Sequence, residues 1–371
     1  MSSSPRKRPA PDALVAGAVV VVLTALVAAV FLTGWGNTLY PPGAVTAEAH
    51  EISGLYDIVF AFAVGIFVVV EALIVWSVIR YRRRPTDTEL PAQTHGNNVV
   101  EIIWTLIPTA IVLFLFVISW QTLNRVQTVS AQPDIRIHAI AGQFAWQFEY
   151  LDASGTKVAT QLAPVYNADT GAGGMAVPVG RSVQVTLDSP DVIHAFYVPR
   201  FLFKRDVVPG QTNTFEFTVD EAEARQIFRG QCAELCGTGH RTMLFDVIAL
   251  SPADYDAWLS GLIAKSNATP EPVPSGSPVL NVTASGIAFN THALEVAADT
   301  PFAIEFKNED PPGVLHDIDI RASDGEVLAD QQVIDGGASA TYSYQGLSAG
   351  SYTFICSIHP IPAMTGILTV K

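Results

Sequence analysis

The chain has 371 residues, 49% of them hydrophobic and only 15% charged, with a formal net charge of −14. So few charges exclude an ordinary soluble protein and point to membrane segments, while the acidic balance speaks against nucleic acid as a partner. Three cysteines are present, an odd number that excludes a complete disulfide framework.

Three apolar runs come first. Residues 13–33 carry no charge and as a helix would extend about 31 Å, enough to cross a bilayer core. Residues 56–79 are interrupted only by Asp57 and Glu71, and residues 102–120 contain Pro108, which membrane helices tolerate. An ionisable group inside such a run is functional or partnered by default, but no motif assigns Glu71 a role. Arg6, Lys7 and Arg8 precede the first run, and Arg80, Arg82, Arg83 and Arg84 follow the second. By the positive-inside rule both clusters are cytoplasmic. Run one then leaves, run two returns, run three leaves again, and everything after about residue 125 is extracytoplasmic. Run one reads equally as a signal peptide or as a first membrane helix, with the same outcome. Residues 130–371 carry 13 basic and 27 acidic side chains, so the whole excess of negative charge is external.

Short alternating stretches follow: "DIRIHAIAG" (134–142), "SVQVTLD" (182–188), "NTFEFTV" (213–219) and "LFDVIAL" (244–250). Period-two patterning between Gly and Pro predicts a β-sandwich or barrel. "SPADYDAWLSGLIAK" (251–265) predicts a helix capped by Ser251, with Pro252 at its first position. A Pro/Ser-rich linker leads to a second strand-rich block containing "FAIEFKN", "LHDIDI", "ATYSYQGL", "SYTFICS" and "GILTV". The expected fold class is therefore a membrane-anchored all-β protein. Its boundaries are 1–49 for the signal or first helix with its loop, 50–129 for a transmembrane helix hairpin, 130–265 for a first β domain, 266–277 for the linker and 278–371 for a second.

The chemistry concentrates in "GQCAELCGTGHRTM" (230–243), which places Cys232, Cys236, His240 and Met243 together. A disulfide would leave the histidine and methionine unexplained. Zinc takes thiolates and imidazole but disfavours thioether. Copper accepts all three, and two thiolates on one loop can bridge two copper ions, each then needing one histidine. "SPDVIHAFYVP" (189–199) supplies His194 where a strand would arrive beside the loop.

"DVIH…VP…K.D..PG" followed by "C.E.C…H..M" resembles the CuA domain of subunit II of haem–copper cytochrome oxidases. "YDIVFAF…EALIVWSVIRYRRRP" and "HGNNVVEIIWTLIPT" are similar to that family's membrane anchor. The resemblance covers roughly residues 50–262. It implies a cupredoxin-like fold with binuclear copper: Cys232 and Cys236 bridging, His194 and His240 terminal, Met243 sulfur and the Glu234 carbonyl as weak axial ligands. The Glu234 side chain would reach a magnesium ion at the contact with subunit I. Glu101 would lie at the mouth of a proton channel, although a helix N-terminus alone favours a carboxylate there. "GQFAWQF" (142–148) matches the family's aromatic patch, where cytochrome c donates its electron. Here Phe144 stands in place of the first tryptophan and Trp146 is retained, which puts the usual point of electron uptake in doubt.

"YTFICSIHPIPAMTGILTV" (352–370) contributes Cys356, His359 and Met364, and "GVLHDIDI" (313–320) contributes His316. Two histidines, one thiolate and a weak axial methionine form the trigonal set of a blue-copper carrier. Spacing and strand context resemble plastocyanin-like cupredoxins over residues 278–371, implying one mononuclear type 1 copper. His138 and His292 fall outside both sets and read as ordinary strand or loop residues. The resemblances together imply the electron-transfer subunit of a respiratory terminal oxidase in a prokaryotic plasma membrane. Its partners would be the haem-bearing subunit I, subunit III, membrane lipid and a soluble donor, either cytochrome c or another cupredoxin, feeding oxygen reduction coupled to proton translocation. The fused cupredoxin could deliver electrons to CuA directly. A CuA-containing nitric oxide reductase and a membrane-tethered copper-delivery protein are the alternatives. A quinol oxidase subunit would lack the ligands.

Overall fold

The computed structural model describes residues 18, 21–26, 28, 29, 40–82, 95–163, 173–267, 274–323, 326–329, 331–359 and 361–371. The choice between signal peptide and first helix for residues 13–33 falls largely outside these, as does much of the 266–277 linker. The described chain forms two compact units, residues 1–44 with 49–126 and residues 45–48 with 127–371.

The first unit is built from two long helices, α1 (Ala47–Arg80) and α2 (Asn98–Gln127), with Pro108 inside α2. At 34 and 30 residues they extend about 51 and 45 Å, more than a bilayer core requires. The Phe62 and Phe114 rings meet at 5.8 Å between them, and Arg125 pairs with Glu51 at 2.8 Å. Their apolar side chains point outward, Val69 being 59% and Leu106 61% exposed. A surface this apolar and this exposed suits lipid contact. The start of α2 is capped reciprocally. Asn97 Oδ1 accepts from the Val99 and Val100 N–H groups, and Glu101 Oε1 accepts from the Asn97 N–H at 3.2 Å.

The second unit opens with β1 (Ile135–Gly142), β2 (Ala145–Leu151), β3 (Lys157–Ala163), β4 (Gly174–Pro178), β5 (Ser182–Asp188), β6 (His194–Tyr197), β7 (Lys204–Val207), β8 (Asn213–Thr218), β9 (Ile227–Cys232) and β10 (Leu244–Leu250). They pair as two five-stranded sheets, β3-β2-β1-β5-β8 and β4-β10-β9-β6-β7. Strand β5 buries every second residue, as a half-covered strand must. Between the sheets the rings of Trp146, Phe148, Phe196 and Phe245 pack at centroid separations of 4.7–6.3 Å. Each fully buried ring of this kind contributes about 1.5–3 kcal/mol. Helix α3 (Pro252–Ser266) follows, its Ser251 cap accepting from the Asp254 N–H at 3.2 Å.

The remaining strands are β11 (Val279–Ala284), β12 (Ala293–Val296), β13 (Phe302–Asn308), β14 (Asp319–Arg321), β15 (Val327–Ala329), β16 (Ser339–Tyr344), β17 (Gly350–Ile355) and β18 (Thr365–Val370). They form a second sandwich from sheets β11-β13-β16 and β12-β18-β17-β14-β15. The buried Tyr344 hydroxyl donates to the Ile318 carbonyl at 2.7 Å, so its polar end is satisfied within the core. The "LHDIDI" segment is less regular than its alternation predicts. Only its last two residues join a strand, and His316 makes an isolated bridge to Ile334. Beside this bridge the Asn308 Nδ2 donates to both the Val314 and Ile334 carbonyls.

Candidate metal centres

Strand β9 ends on Cys232 and β10 begins just after Met243, so the loop between them hangs from one edge of a sheet. The Cys232 N–H donates to the Met243 carbonyl at 3.0 Å and closes that loop. The Ala233 N–H bonds the Ala195 carbonyl at 3.1 Å, which brings β6 and its first residue, His194, alongside. Gly230 lies directly across from Phe245, and a Cβ there would stand 2.3 Å from the ring. Only glycine permits that approach.

All six residues that the CuA resemblance implies come together here. Cys232 Sγ lies 3.8 Å from Cys236 Sγ, 3.7 Å from His194 Nδ1 and 3.2 Å from the Glu234 carbonyl. Cys236 Sγ lies 3.5 Å from His240 Nδ1 and 3.9 Å from Met243 Sδ. Each sulfur thus has its own imidazole, and the two sulfurs face one another unbonded. The Asp191 carboxylate meets His194 Nε2 at 2.8 Å. A carboxylate only accepts, so Nε2 carries hydrogen and Nδ1 is the atom presented to sulfur.

The electrostatics are divided between the two thiols. Burial works against a charged His194, but Asp191 and the Cys232 sulfur outweigh it and raise the ring to about 9. Burial likewise pushes the Cys232 thiol up, yet His194 and nearby backbone bonds bring it down to about 6. Cys236 is pushed up to about 12 by burial and by the Cys232 charge. Free of metal, the site holds a thiolate–imidazolium pair beside a neutral thiol at neutral pH.

The second cluster sits at the corresponding place in the second sandwich. Cys356 follows β17, and its N–H donates to the Met364 carbonyl at 3.0 Å. Cys356 Sγ lies 3.6 Å from His316 Nδ1 and 3.9 Å from His359 Nδ1, with both Cys356 and Met364 fully buried. Asp310 accepts from His316 Nε2 at 2.8 Å, and the Gln143 carbonyl accepts from His359 Nε2 at 2.9 Å. Both rings therefore carry their hydrogen on Nε2. Burial lowers His316 and takes His359 down to about 4, so both are neutral at pH 7. Their two Nδ1 lone pairs point at each other across 3.2 Å. Two acceptors cannot bond one another, and the arrangement calls for an electrophile between them. With thiol sulfur adjacent, a soft metal ion fits.

Three comparisons bear on this arrangement. Residues 135–250 match the family described as cytochrome c oxidase subunit II, periplasmic domain, residues 35–122 its transmembrane domain, and residues 257–370 a cupredoxin-like domain. A probable cytochrome c oxidase subunit 2 from Streptomyces coelicolor is 33% identical over 291 residues, covering 70% of this chain and 89% of that one. This chain belongs to the cytochrome c oxidase subunit II family. A second relative of that name, from Synechocystis, is 28% identical over 349 residues, covering 80% and 97%. The solved periplasmic domain of a cytochrome oxidase subunit II from Bradyrhizobium japonicum is 27% identical with a TM-score of 0.33, covering 37% of this chain and 99% of that one. As an oxidase subunit II with an added cupredoxin domain, the protein is a membrane component of an oxidase complex, and its families imply copper binding.

The other predicted residues are placed as follows. The Glu234 carboxylate pairs with Lys204 Nζ, which also pairs with Asp206 at 3.0 Å. Glu101 caps its own helix. Trp146 is fully buried in the first core, while Phe144 is half-buried with its ring against Gly237 and Gly239 of the ligand loop. His138 lies in β1 between Glu149 at 3.1 Å and Asp188 at 2.9 Å, and His292 Nδ1 bonds the Thr365 carbonyl at 2.8 Å. Sequence reasoning missed the outer partners Asp191, Asp310 and Gln143. Asp191, three residues before His194, could have been sought as a carboxylate partner. Nothing local signals Asp310 or Gln143.

Proposed function

We propose that the protein is subunit II of a respiratory haem–copper terminal oxidase, with binuclear CuA at His194, Cys232, Glu234, Cys236, His240 and Met243, and type 1 copper at His316, Cys356, His359 and Met364. The observation that carries this reading is the convergence of four donor groups around two cysteine sulfurs that each own an imidazole. A soluble donor reduces the cupredoxin, and electrons pass through CuA to the haems of subunit I, where oxygen reduction is coupled to proton translocation. Both copper domains lie on the extracytoplasmic face of the plasma membrane. Copper bound here supplies a one-electron couple between cuprous and cupric states. The chain's own contribution is rigidity. Each ligand loop is closed by a cysteine-to-methionine backbone bond, and three of the four histidines have their outer nitrogen fixed by a named acceptor. A site that hardly moves on changing charge reorganises little. Burial of both clusters, with Cys232 4%, Cys236 3% and Cys356 0% exposed, suits held metal better than exchangeable cargo.

The test is copper quantitation with absorption and EPR spectroscopy on the purified full-length chain in detergent. Three coppers are expected, one mixed-valence pair and one mononuclear centre. A colourless chain that stays metal-free after exposure to cupric and cuprous salts, with Cys232 joined to Cys236, overturns the reading.

A further inference from the structure

We infer that Gln143 is the residue through which the two copper centres exchange electrons, making the cupredoxin domain a built-in donor docked on CuA. The inference rests on the copper assignments proposed above and adds a route and a residue to them.

Gln143 and Phe144 form the tip of the hairpin between β1 and β2. Gln143 makes three bonds outward from that tip. Its carbonyl accepts from His359 Nε2 at 2.9 Å, on the outer edge of an imidazole of the second cluster. Its side-chain Nε2 donates to the carbonyl of Cys236, one of the two sulfur residues of the first cluster. Its N–H donates to Asp191 Oδ2 at 2.6 Å, and Asp191 Oδ1 meets His194 Nε2 at 2.8 Å. One residue thus joins the second cluster to the first by two hydrogen-bonded branches, one ending on Cys236 and one on His194. No through-space gap interrupts either. His359 is only 5% exposed, so this ring edge is not offered to a soluble partner.

The surrounding contact is packed closely enough to hold the geometry. Ala145 and Leu162 of the first sandwich pack against the core of the second. Gly313, at φ +92°, lies against Pro190, where an added Cβ would stand 2.3 Å from the Pro190 Cβ. The half-open pocket between Gln143, Trp146, Gly313 and His359 measures about 30 Å3, room for only a water or two. Phe144 turns away from this contact onto Gly237 and Gly239, so the tip sends its aromatic ring and its amide in different directions.

The step itself is simple. One electron leaves the centre at Cys356, oxidising it by one, and arrives at the centre between Cys232 and Cys236, reducing it by one. No bond forms or breaks, and no proton leaves either hydrogen bond.

The experiment uses the full-length copper-loaded chain in detergent, with three readouts. Copper content and spectra report the assignments, pulsed EPR reports the separation of the two centres, and flash photoreduction of the mononuclear centre reports transfer to the pair. In the unaltered chain a single narrow separation and fast internal transfer are expected. Gln143→Leu removes only the side-chain bond to the Cys236 carbonyl and keeps the backbone bonds to His359 and Asp191; it should leave copper content and separation unchanged and slow transfer several-fold, an outcome that a purely packing role would not produce. Ala145→Arg, which wedges the contact from the other sandwich, should broaden the separation and slow transfer further. Unchanged transfer in Gln143→Leu with docking intact overturns the side-chain branch to Cys236 as the route, since the backbone bonds to His359 and Asp191 survive the substitution, and leaves the copper assignments standing. A broad separation or absent internal transfer in the unaltered chain overturns the docked-donor inference, again separately from the copper content. Missing copper overturns both.

Discussion

The two ligand loops are variations on one plan. In each, a cysteine stands at the end of a strand or just past it, its N–H bonds a methionine carbonyl, and a glycine faces a phenylalanine two residues back along the paired strands: Gly230 with Phe245, and Phe354 with Gly366. The glycine and phenylalanine have exchanged strands, but the close approach is the same. The difference lies in loop length. Cys232 and Met243 stand eleven positions apart, whereas Cys356 and Met364 stand eight. The longer loop accommodates a second cysteine and carries its histidine past it, so two sulfurs face each other with an imidazole behind each. The shorter loop turns its histidine onto the single sulfur. Loop length, on an unchanged scaffold, goes with two facing sulfurs in one cluster and a single sulfur in the other.

Removing the extra sulfur is the most direct way to break that comparison. Cys236→Ser should leave the longer loop with one thiolate, and the chain's copper content should fall from three to two with loss of the mixed-valence EPR signal. Cys356→Ser should remove the mononuclear signal and leave the pair. Retention of three coppers in Cys236→Ser contradicts the role given to the longer loop.

Next in size are the groups behind the histidines. Asp310 accepts from two backbone N–H groups as well as from His316, and Asp191 from two backbone N–H groups as well as from His194. Replacing such a partner weakens metal binding by about 10–100-fold. Asp310→Asn should do so only at the mononuclear centre and Asp191→Asn only at the pair, as measured by competition with a chelator. Loss at both centres from either change would show that the clusters do not bind independently.

Much of this was legible beforehand because the relevant signals are local. Alternation marked β5 and β10 to the residue, and Ser251 with Pro252 marked the start of α3. The candidate ligands stood out by their chemistry and spacing, in a chain with only three cysteines and four methionines. What escaped detection depends on partners distant in sequence. The bond from His359 to Gln143 spans 216 positions, and the Asn308 side chain beside the His316 bridge reaches two carbonyls, one of them 26 positions away. An alternating pattern reports which side chains face a core; it is silent on which distant side chain bonds the backbone there.

The two clusters should also differ in the protons they release on binding copper, since ligands must be deprotonated. At pH 7 the pair site must shed hydrogen from His194, at about 9, and from Cys236, at about 12, while Cys232, at about 6, is already ionised. The mononuclear site must shed only that of Cys356, which burial pushes well up, because both of its histidines are neutral. Release of about two protons against about one is therefore expected. Cys236→Ser and Cys356→Ser chains, titrated with a pH indicator, separate the contributions. The share of His194 should vanish as the pH is raised through 9, because the ring then enters the reaction already neutral.

The smallest effect concerns a feature of the first sandwich away from the metal. His138 is clamped by Glu149 and Asp188 across β1, β2 and β5. Glu149, and more weakly Asp188, raise its pKa against the opposing effect of burial, while His138 and Lys157 lower Glu149 to about 2. The raised histidine contributes stability that is complete below its ordinary value of 6.5 and is lost as the pH rises through the folded value. The lowered carboxylate contributes above its ordinary 4.5 and loses that as the pH falls toward 2. Between 4.5 and 6.5 both are in force. His138→Gln should there lower unfolding free energy by about 1–2 kcal/mol, read from denaturant midpoints of the metal-free chain, and the loss should shrink on the alkaline side. Copper content should not change, because no ligand contacts the clamp. If the loss instead grew with pH, or if the pair centre lost copper with it, the clamp would belong to the metal site and the two sandwiches would differ in more than the length of one loop.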